Sequence, residues 1–218
     1  MIFRGESYDN KDVVAYFQVK DGKIIDRAKK NNVITNATSF GKEDFEYCNL
    51  GYSNYIKFNP FTLSNSFFME YIYNQANFNE FQSLLTNNGD RPLKFFTSMR
   101  CADLGIETAL RWSQPNSLLN KWKVVLLQRK NNQLSLYVDG VKRLEKYFSG
   151  AFNYYEPVIG RSGGYTCGFG KFKQCIIVNN TNLTDDPTYD APLNTDTMMG
   201  SIYQDRLNNF YIAPGEGA

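Results

Sequence analysis

Residues 122–140 read WKVVLLQRKNNQLSLYVDG, and their order of apolar and polar side chains indicates the fold class. Two apolar runs, 122–127 and 134–138, show the side-chain period of two that is typical of β-strands. Polar residues Lys130–Gln133 separate the runs, and Asn accepts the positive φ that a tight hairpin turn demands. Asp139 and Gly140 form a second turn signal. The stretch therefore predicts an antiparallel meander of short strands whose register is fixed by the turns.

Similar strand patterns recur along the chain between residues 13 and 180. They cover residues 13–19, 24–25, 55–61, 66–74, 82–90, 94–100, 107–112, 156–160 and 172–180. The run 66–74 is apolar on both of its faces, which predicts a central strand covered on both sides. Residues 31–47 predict a polar loop. Since no helical period of comparable length occurs between 13 and 180, we predict an all-β sandwich or barrel.

The character of the chain changes after Thr184. Three prolines interrupt residues 185–218, and the segment shows no long strand pattern. We predict one β domain over residues 1–184 and a C-terminal extension over 185–218, with a short helix around Met199–Asn208. The apolar residues of the extension favour docking on a neighbouring surface over disorder.

Composition excludes several classes of partner. The chain has 24 basic and 22 acidic residues, so nothing indicates a general affinity for nucleic acid or for an anionic membrane surface. No run approaches the roughly 18 to 20 apolar residues that cross a bilayer, and the first residues lack the apolar core of a secretory signal. We expect no membrane insertion and no signal-directed export.

The residue types that most often bind metals are sparse. The chain has no His and four scattered Cys, none in a C-x-x-C pair. We predict four reduced thiols that are mostly buried, with a Cys167–Cys175 bridge as the alternative. Asp and Asn at 9–12 and 185–186 are loose candidates for calcium ligands, which we interpret as solvated loop charges. We predict no cofactor and no metal site.

The order of motifs in the second half resembles a known family. Trp122 with its alternating strand, the polar turn, LSLYVDG at 134–140, VIGRSGG at 158–164 and a strand ending in NNTNLT at 179–184 resemble the laminin-G and concanavalin A-like lectin/glucanase jelly rolls. Residues 13–32 and 54–74 extend the resemblance more weakly, so that it covers residues 12–184. It implies a two-sheet antiparallel jelly-roll sandwich, with Trp122 buried between the sheets and Asp139–Gly140 capping a hairpin.

The chain departs from the family members that cleave β-glucans. Those members carry an E-x-D-x-x-E strand, whose carboxylates lie about 5.5 Å apart in retaining enzymes. The nearest sequence here is GKEDFEY, in which Glu43, Asp44 and Glu46 have the wrong spacing. The departure disfavours glycoside hydrolysis, and we predict that the protein is not an enzyme.

The resemblance also implies a binding role. Carbohydrate-binding faces usually offer exposed aromatic rings flanked by amide and charged groups. The best such loop cluster is Tyr154, Tyr155 and Tyr165 with Asn153 and Arg161. The alternative is that these tyrosines pack under the loops.

Lectin-like jelly rolls usually act outside cells, yet the chain shows no export signal. We therefore predict a non-enzymatic bacteriophage virion component, either a head decoration or a tail or fibre protein, that binds a host glycan. Residues 185–218 would contact other virion subunits or copies of this chain. The alternative is a stand-alone carbohydrate-binding module of a bacterial surface or secreted protein.

Overall fold

The computed structural model describes residues 12–31, 34–35, 39–43, 46–51, 54–76, 81–87, 90–98, 101–104, 110–113, 119–139, 141–160, 170–179, 202–204 and 210–212. Within these ranges the chain forms twenty β-strands and no helix. The same ranges contain no helix that is long and apolar enough to span a bilayer.

Nine strands form the large sheet. They are β1 (Val13–Lys20), β2 (Lys23–Asp26), β4 (Phe40–Lys42), β5 (Glu46–Leu50), β8 (Phe67–Gln75), β13 (Trp122–Lys130), β14 (Gln133–Val138), β15 (Val141–Tyr147) and β18 (Gly170–Asn179). The main order is β15-β14-β13-β8-β18-β1-β2, and β5 pairs with both β18 and β4. Every pairing is antiparallel.

Seven strands form the small sheet, and four more form two short ladders. The small sheet has β3 (Ile34–Thr35), β6 (Ile56–Lys57), β9 (Phe81–Asn87), β10 (Asp90–Ser98), β11 (Cys101–Leu104), β12 (Leu110–Ser113) and β17 (Pro157–Ile159) in the order β12-β11-β10-β9-β17-β6-β3. One ladder pairs β7 (Phe61–Leu63) with β16 (Phe152–Tyr154), and the other pairs β19 (Ile202–Gln204) with β20 (Phe210–Ile212).

The two sheets pack face to face around one main core. Ile56, Leu85 and Ile159 of the small sheet join a buried cluster with inward residues of the large sheet, among them Phe17 and Tyr71. The structure is therefore the two-sheet antiparallel sandwich that the sequence predicts.

Strand β8 confirms the predicted central strand. All nine of its residues are buried. Phe67, Met69, Tyr71 and Tyr73 face the small sheet within the main core, as the alternation predicts. Residues of the opposite face of β8 belong to a second buried cluster.

Trp122 is buried, but not where the resemblance places it. Its exposed fraction is 6%, and with Val124 and Leu126 it belongs to the second cluster, whose strand residues all come from the large sheet. Val125 and Leu127 are the residues of β13 that face the small sheet. The prediction that Trp122 lies between the sheets is wrong: side chains of β13 alternate between the two faces, and the packing of the sheets turns Val125 and Leu127 towards the small sheet.

The hairpin turns follow the predicted positions. Asn131 and Asn132 have φ of 48° and 66°, and Lys130 pairs directly with Gln133 across a two-residue turn. Asp139 has φ of 51°, and its Oδ1 accepts a hydrogen bond from Val124 N at 2.8 Å. This hydrogen bond between Val124 and Asp139 ties the turn after β14 back to β13.

Two local predictions are wrong. Residues 40–42 and 46–50 form an antiparallel strand pair where we predict a polar loop. The half-buried Tyr47 ring packs over Gly41 of the partner strand, and this contact stabilises the pair although the stretch is polar. The helix predicted around Met199–Asn208 is replaced at 202–204 by β19, which pairs with β20. In that segment the backbone groups of each strand bond to the partner strand instead of within a helical turn.

Two cysteines test the predicted thiols. Cys48 and Cys175 are free and fully buried, and burial raises the thiol pKa of both residues. The Cys167–Cys175 bridge is therefore wrong, since Cys175 packs in the main core as a small apolar residue. Cys167 lies outside the described residues.

The turn at Asn131 provides a test of the hairpin. Asn131→Val places a β-branched residue at positive φ, and we expect it to lower the free energy of unfolding by about 1–2 kcal/mol. Asn131→Gly is the control, because Gly adopts this φ without strain and should change stability by less than about 0.5 kcal/mol. Urea denaturation measures both. Equal midpoints for the two variants would contradict the assigned turn.

Burial of Lys173 predicts a pH-dependent stability. Lys173 is 2% exposed, and desolvation lowers its pKa from 10.5 to about 7. Above about pH 7 the unfolded chain keeps this proton while the folded chain loses it, so the free energy of unfolding rises with pH. Between about pH 7 and 9 we expect a rise of at most about 1.4 kcal/mol per pH unit from this group.

Lys173→Met should remove most of this rise in the free energy of unfolding with pH. A smaller rise should remain from Lys123, because burial lowers the pKa of Lys123 to about 8. The exposed Lys20 at the end of β1 offers the control, and Lys20→Met should keep the wild-type slope. Denaturation curves at several pH values measure the difference. A slope that Lys173→Met leaves intact would show that Lys173 is not the group responsible.

Candidate functional site

Three of the five predicted binding residues lie next to one another. Asn153 and Tyr154 belong to β16, and Tyr155 follows in the bend that leads to β17. Arg161 and Tyr165 lie outside the described residues. The described candidate site is therefore the loop between β16 and β17.

Tyr154 is a core residue. Only 2% of its surface is exposed, and its ring stacks on Phe61 with centroids 4.7 Å apart. Burial raises the pKa of its phenol well above the usual range. The prediction that Tyr154 offers a ring to a ligand is wrong, and the alternative that it packs under the loop is correct for this residue. The β16 strand turns this side chain inward, where Phe61 and the main core enclose it.

Tyr155 has the opposite environment. Its exposed fraction is 68%, the largest among the exposed large apolar side chains that the structure describes. Asn153 and Glu156 lie close to it in the loop sequence, and Thr62 and Lys57 of the neighbouring strands contact these two side chains. We call Tyr155 together with Lys57, Thr62, Asn153 and Glu156 the Tyr155 platform.

The polar groups of the platform are held by two contacts. Thr62 Oγ1 donates a hydrogen bond to Asn153 Oδ1 at 3.0 Å, which orients the amide. Lys57 Nζ lies 3.4 Å from Glu156 Oε1, and their side chains are 34% and 50% exposed. The Tyr155 loop and the strands that contact it thus carry an exposed aromatic ring, an amide, a hydroxyl, an ammonium and a carboxylate. These groups can donate and accept hydrogen bonds, while the ring offers an apolar face.

A row of aromatic rings supports the loop from below. Tyr154 stacks on Phe61, Phe61 stacks on Phe58 at 5.6 Å, and Phe58 meets Phe17 edge to face at 4.8 Å. Phe17 lies at the centre of β1 in the large sheet. The loop is therefore anchored to the main core through four consecutive rings.

Asn87 supports the loop from the side, and sequence reasoning missed it. Asn87 ends β9 and is 3% exposed. Its Nδ2 donates to the carbonyl oxygen of Asn153 at 2.8 Å, and its Oδ1 accepts from Glu156 N at 3.3 Å. The sequence shows Asn87 only as part of an Asn-Asn-Gly turn signal. No local signal links it to residues more than sixty positions away.

Arg129 holds the chain that enters β16, and it too was missed. Its guanidinium donates to Gly150 O at 2.8 Å and to Asn132 Oδ1 at 2.6 Å. It also lies 5.8 Å and 5.6 Å from the ring centroids of Phe148 and Phe152. A buried cation is tolerated here because oxygen acceptors and aromatic faces replace water.

The acidic residues of GKEDFEY have structural partners. Glu43 forms an ion pair with Lys171, and Glu46 Oε2 accepts a hydrogen bond from Gly22 N at 3.4 Å. Asp44 lies outside the described residues. A shallow cleft of about 280 Å³ adjoins Glu46, lined by Val19, Gly22, Phe40, Gly41, Lys42 and Glu46. It does not include any residue of the Tyr155 platform.

The candidate calcium residues are mostly outside the described ranges. Asp12 alone of residues 9–12 is described, and its carbonyl oxygen accepts a hydrogen bond from Asn179 N at 2.7 Å. Residues 185–186 are not described. Among the described residues no group of three Cys, Asp or Glu side chains could hold a metal ion.

The two adjacent tyrosines give a test of the site's geometry. Tyr154→Ala should lower the free energy of unfolding by about 3–5 kcal/mol, the range for deleting a buried aromatic ring. Tyr155→Ala should change it by less than about 0.5 kcal/mol, since the ring lies on the surface. Thermal and urea denaturation measure both variants. Similar losses of stability from the two substitutions would contradict the assignment of one ring to the core and one to the surface.

No protein-family model and no curated protein sequence matches the chain. Solved structures do match. The binding domain of botulinum neurotoxin serotype D/C VPI 5993 aligns with a TM-score of 0.61 and 11% identity, covering 77% of this chain and 48% of that chain. Domain 4 of AbnA, a GH43 extracellular arabinanase from Geobacillus stearothermophilus, aligns with a TM-score of 0.55 and 10% identity, covering 77% and 92%.

Trypanosoma rangeli sialidase aligns with a TM-score of 0.55 and 15% identity, over 78% of this chain and 31% of that chain. The chain thus spans about half the length of the neurotoxin structures and about a third of the sialidase. At these identities the likeness concerns the fold alone. It confirms the predicted architecture: the chain has the concanavalin A-like jelly-roll fold.

Proposed function

We propose that the protein is a non-catalytic carbohydrate-binding domain that engages its ligand through the Tyr155 platform. The observation that carries the proposal is the 68% exposed ring of Tyr155, displayed on a loop that the core and Asn87 hold in place. The apolar face of a sugar ring would stack on Tyr155. Its hydroxyl groups would bond to Asn153 and to the Lys57–Glu156 pair.

Similar folds in carbohydrate-associated proteins support this proposal. The arabinanase domain is in complex with arabinotriose, and cell entry of botulinum neurotoxin type C depends on interaction with two ganglioside molecules. For this chain we infer a neutral sugar unit at Tyr155, because Lys57 and Glu156 balance each other's charge.

The polar groups of the platform favour a ligand rich in hydroxyls over an apolar one. Thr62 Oγ1 donates to Asn153 Oδ1, and no described residue accepts a hydrogen bond from Asn153 Nδ2. That nitrogen can donate to a sugar hydroxyl, while the carboxylate of Glu156 can accept from one. An exposed planar ring in the same loop as hydrogen-bond donors and acceptors suits a sugar, which has an apolar face and polar hydroxyl groups.

The proposed binding is tested by screening the full chain on a glycan array and titrating the best glycan by calorimetry. Tyr155→Ala should weaken binding at least tenfold, about 1.4 kcal/mol, because the stacking face is lost. Tyr155→Phe should retain binding within a few-fold, since it keeps the ring.

Tyr147→Ala is the matched control. Tyr147 is 63% exposed on β15, at the edge of the large sheet, and does not belong to the platform. Its variant should bind as the wild type does. Unchanged affinity in Tyr155→Ala, or an equal loss in Tyr147→Ala, would overturn the proposal.

The virion assignment stays a prediction from the sequence, as do the boundary at residue 184 and the docking of residues 185–218 on other subunits. The described part of that extension is the β19–β20 hairpin. A comparison of solution mass and protease resistance between the full chain and residues 1–184 tests these predictions. A protease-resistant oligomer that becomes a folded monomer on truncation would support assembly through the extension.

A further inference from the structure

One buried side chain spans the base of the loop that displays Tyr155. Asn87 Nδ2 donates to Asn153 O at 2.8 Å, and Asn87 Oδ1 accepts from Glu156 N at 3.3 Å. These two backbone groups enclose Tyr154 and Tyr155 in the sequence. The amide of Asn87 therefore closes the loop at both of its ends.

We propose that Asn87 is a positioning residue that fixes the Tyr155 loop in its binding conformation before the ligand arrives. This inference rests on the proposed function, because it assigns Asn87 its effect through Tyr155. Asn87 is 3% exposed and so does not itself reach a ligand. Its contribution is to keep the loop ordered in the free protein.

The chemistry of an amide suits this role. One planar group offers a donor and an acceptor a short distance apart, and the loop presents a carbonyl oxygen and an N–H to match. In a buried setting each unpaired group would cost free energy, so both bonds reinforce the same loop geometry. An Asp of the same shape has two acceptors and lacks the donor unless it is protonated.

The neighbouring contacts constrain other parts of the loop. The bond between Thr62 and Asn153 orients a side chain, and the stack of Tyr154 on Phe61 holds the loop's inward ring. Phe58 N donates to Pro157 O at 3.3 Å, just beyond the loop. Among the described contacts, Asn87 is the side chain that joins the backbone on both sides of Tyr155.

A loop that is already ordered loses less conformational entropy when it binds. Loss of Asn87 should therefore reduce affinity although no ligand contact is removed. Amide hydrogen exchange at Glu156, measured without ligand, reports the order of the loop directly.

The test compares Asn87→Asp and Asn87→Ala with the wild type in two measurements, protection of the Glu156 amide and affinity for the array-selected glycan. At about pH 7 the carboxylate of Asn87→Asp faces the carbonyl oxygen of Asn153 and repels it. We expect both the protection factor and the affinity to fall at least tenfold. Asn87→Ala should lose both as well.

Acidification separates positioning from general damage to the fold. At about pH 4 to 5 the buried carboxyl of Asn87→Asp takes up a proton and regains a donor for Asn153 O. Protection and affinity should recover relative to the wild type at the same pH, whereas Asn87→Ala should not recover. The wild-type series corrects for titration of Glu156 and Lys57, the charged groups beside the loop.

The outcomes are distinguishable. Wild-type affinity in both Asn87 variants, while Tyr155→Ala loses binding, overturns the positioning role and leaves the proposed function standing. Wild-type affinity in Tyr155→Ala overturns the proposed function and with it the role of Asn87 in binding. If the variants do not fold, the wild type still decides: a Glu156 amide without protection overturns the proposal.

Discussion

Strand β8 is buried on both faces, and this burial fixes the register of the large sheet. Its residues pair with β13 along one edge and with β18 along the other. A slip of one residue in either pairing would exchange the two faces, bringing Glu70 into the main core and Tyr71 out of it. The registers of β13 and β18 against β8 are therefore fixed. The strands that pair with β13 and β18 are positioned in turn by these two strands.

The same alternation between faces creates the candidate site. Tyr154 is the last residue of β16 and points into the core, while Tyr155 follows where the strand ends and lies in solvent. The buried ring gives the loop a foundation, and the exposed ring gives it a surface for recognition. Two identical side chains thus have different roles because one residue position separates them.

Polar groups inside the sandwich define the geometry that apolar packing leaves open. Arg129 connects the β13–β14 turn to the segment that precedes β16. Lys123 is fully buried and donates to Gln75 Oε1 at 3.2 Å. Directional bonds of this kind select one arrangement of loops over others of similar packing, since a buried donor or acceptor left unpaired is costly.

Features that depend on residues close together along the chain could be predicted from the sequence. The period of two located β1, β8, β13, β14 and β18, and the Asn131–Asn132 pair located a turn with positive φ. Resemblance of the motif order then indicated the jelly-roll architecture. The short strand β16 and the charged strand β15 lacked a strong alternating pattern, so they were not predicted.

The packing of the two sheets determines which face of a strand meets which layer and which aromatic ring stays exposed. Alternation places Trp122 and Val125 on opposite faces of β13 but does not say which face meets the small sheet. The contacts of Asn87 span 66 and 69 residues, and chain closure over such distances is set by the packed sheets rather than by local preference. The site belongs to this second group, because the contacts that hold Tyr155 in place come from strands far apart in the sequence.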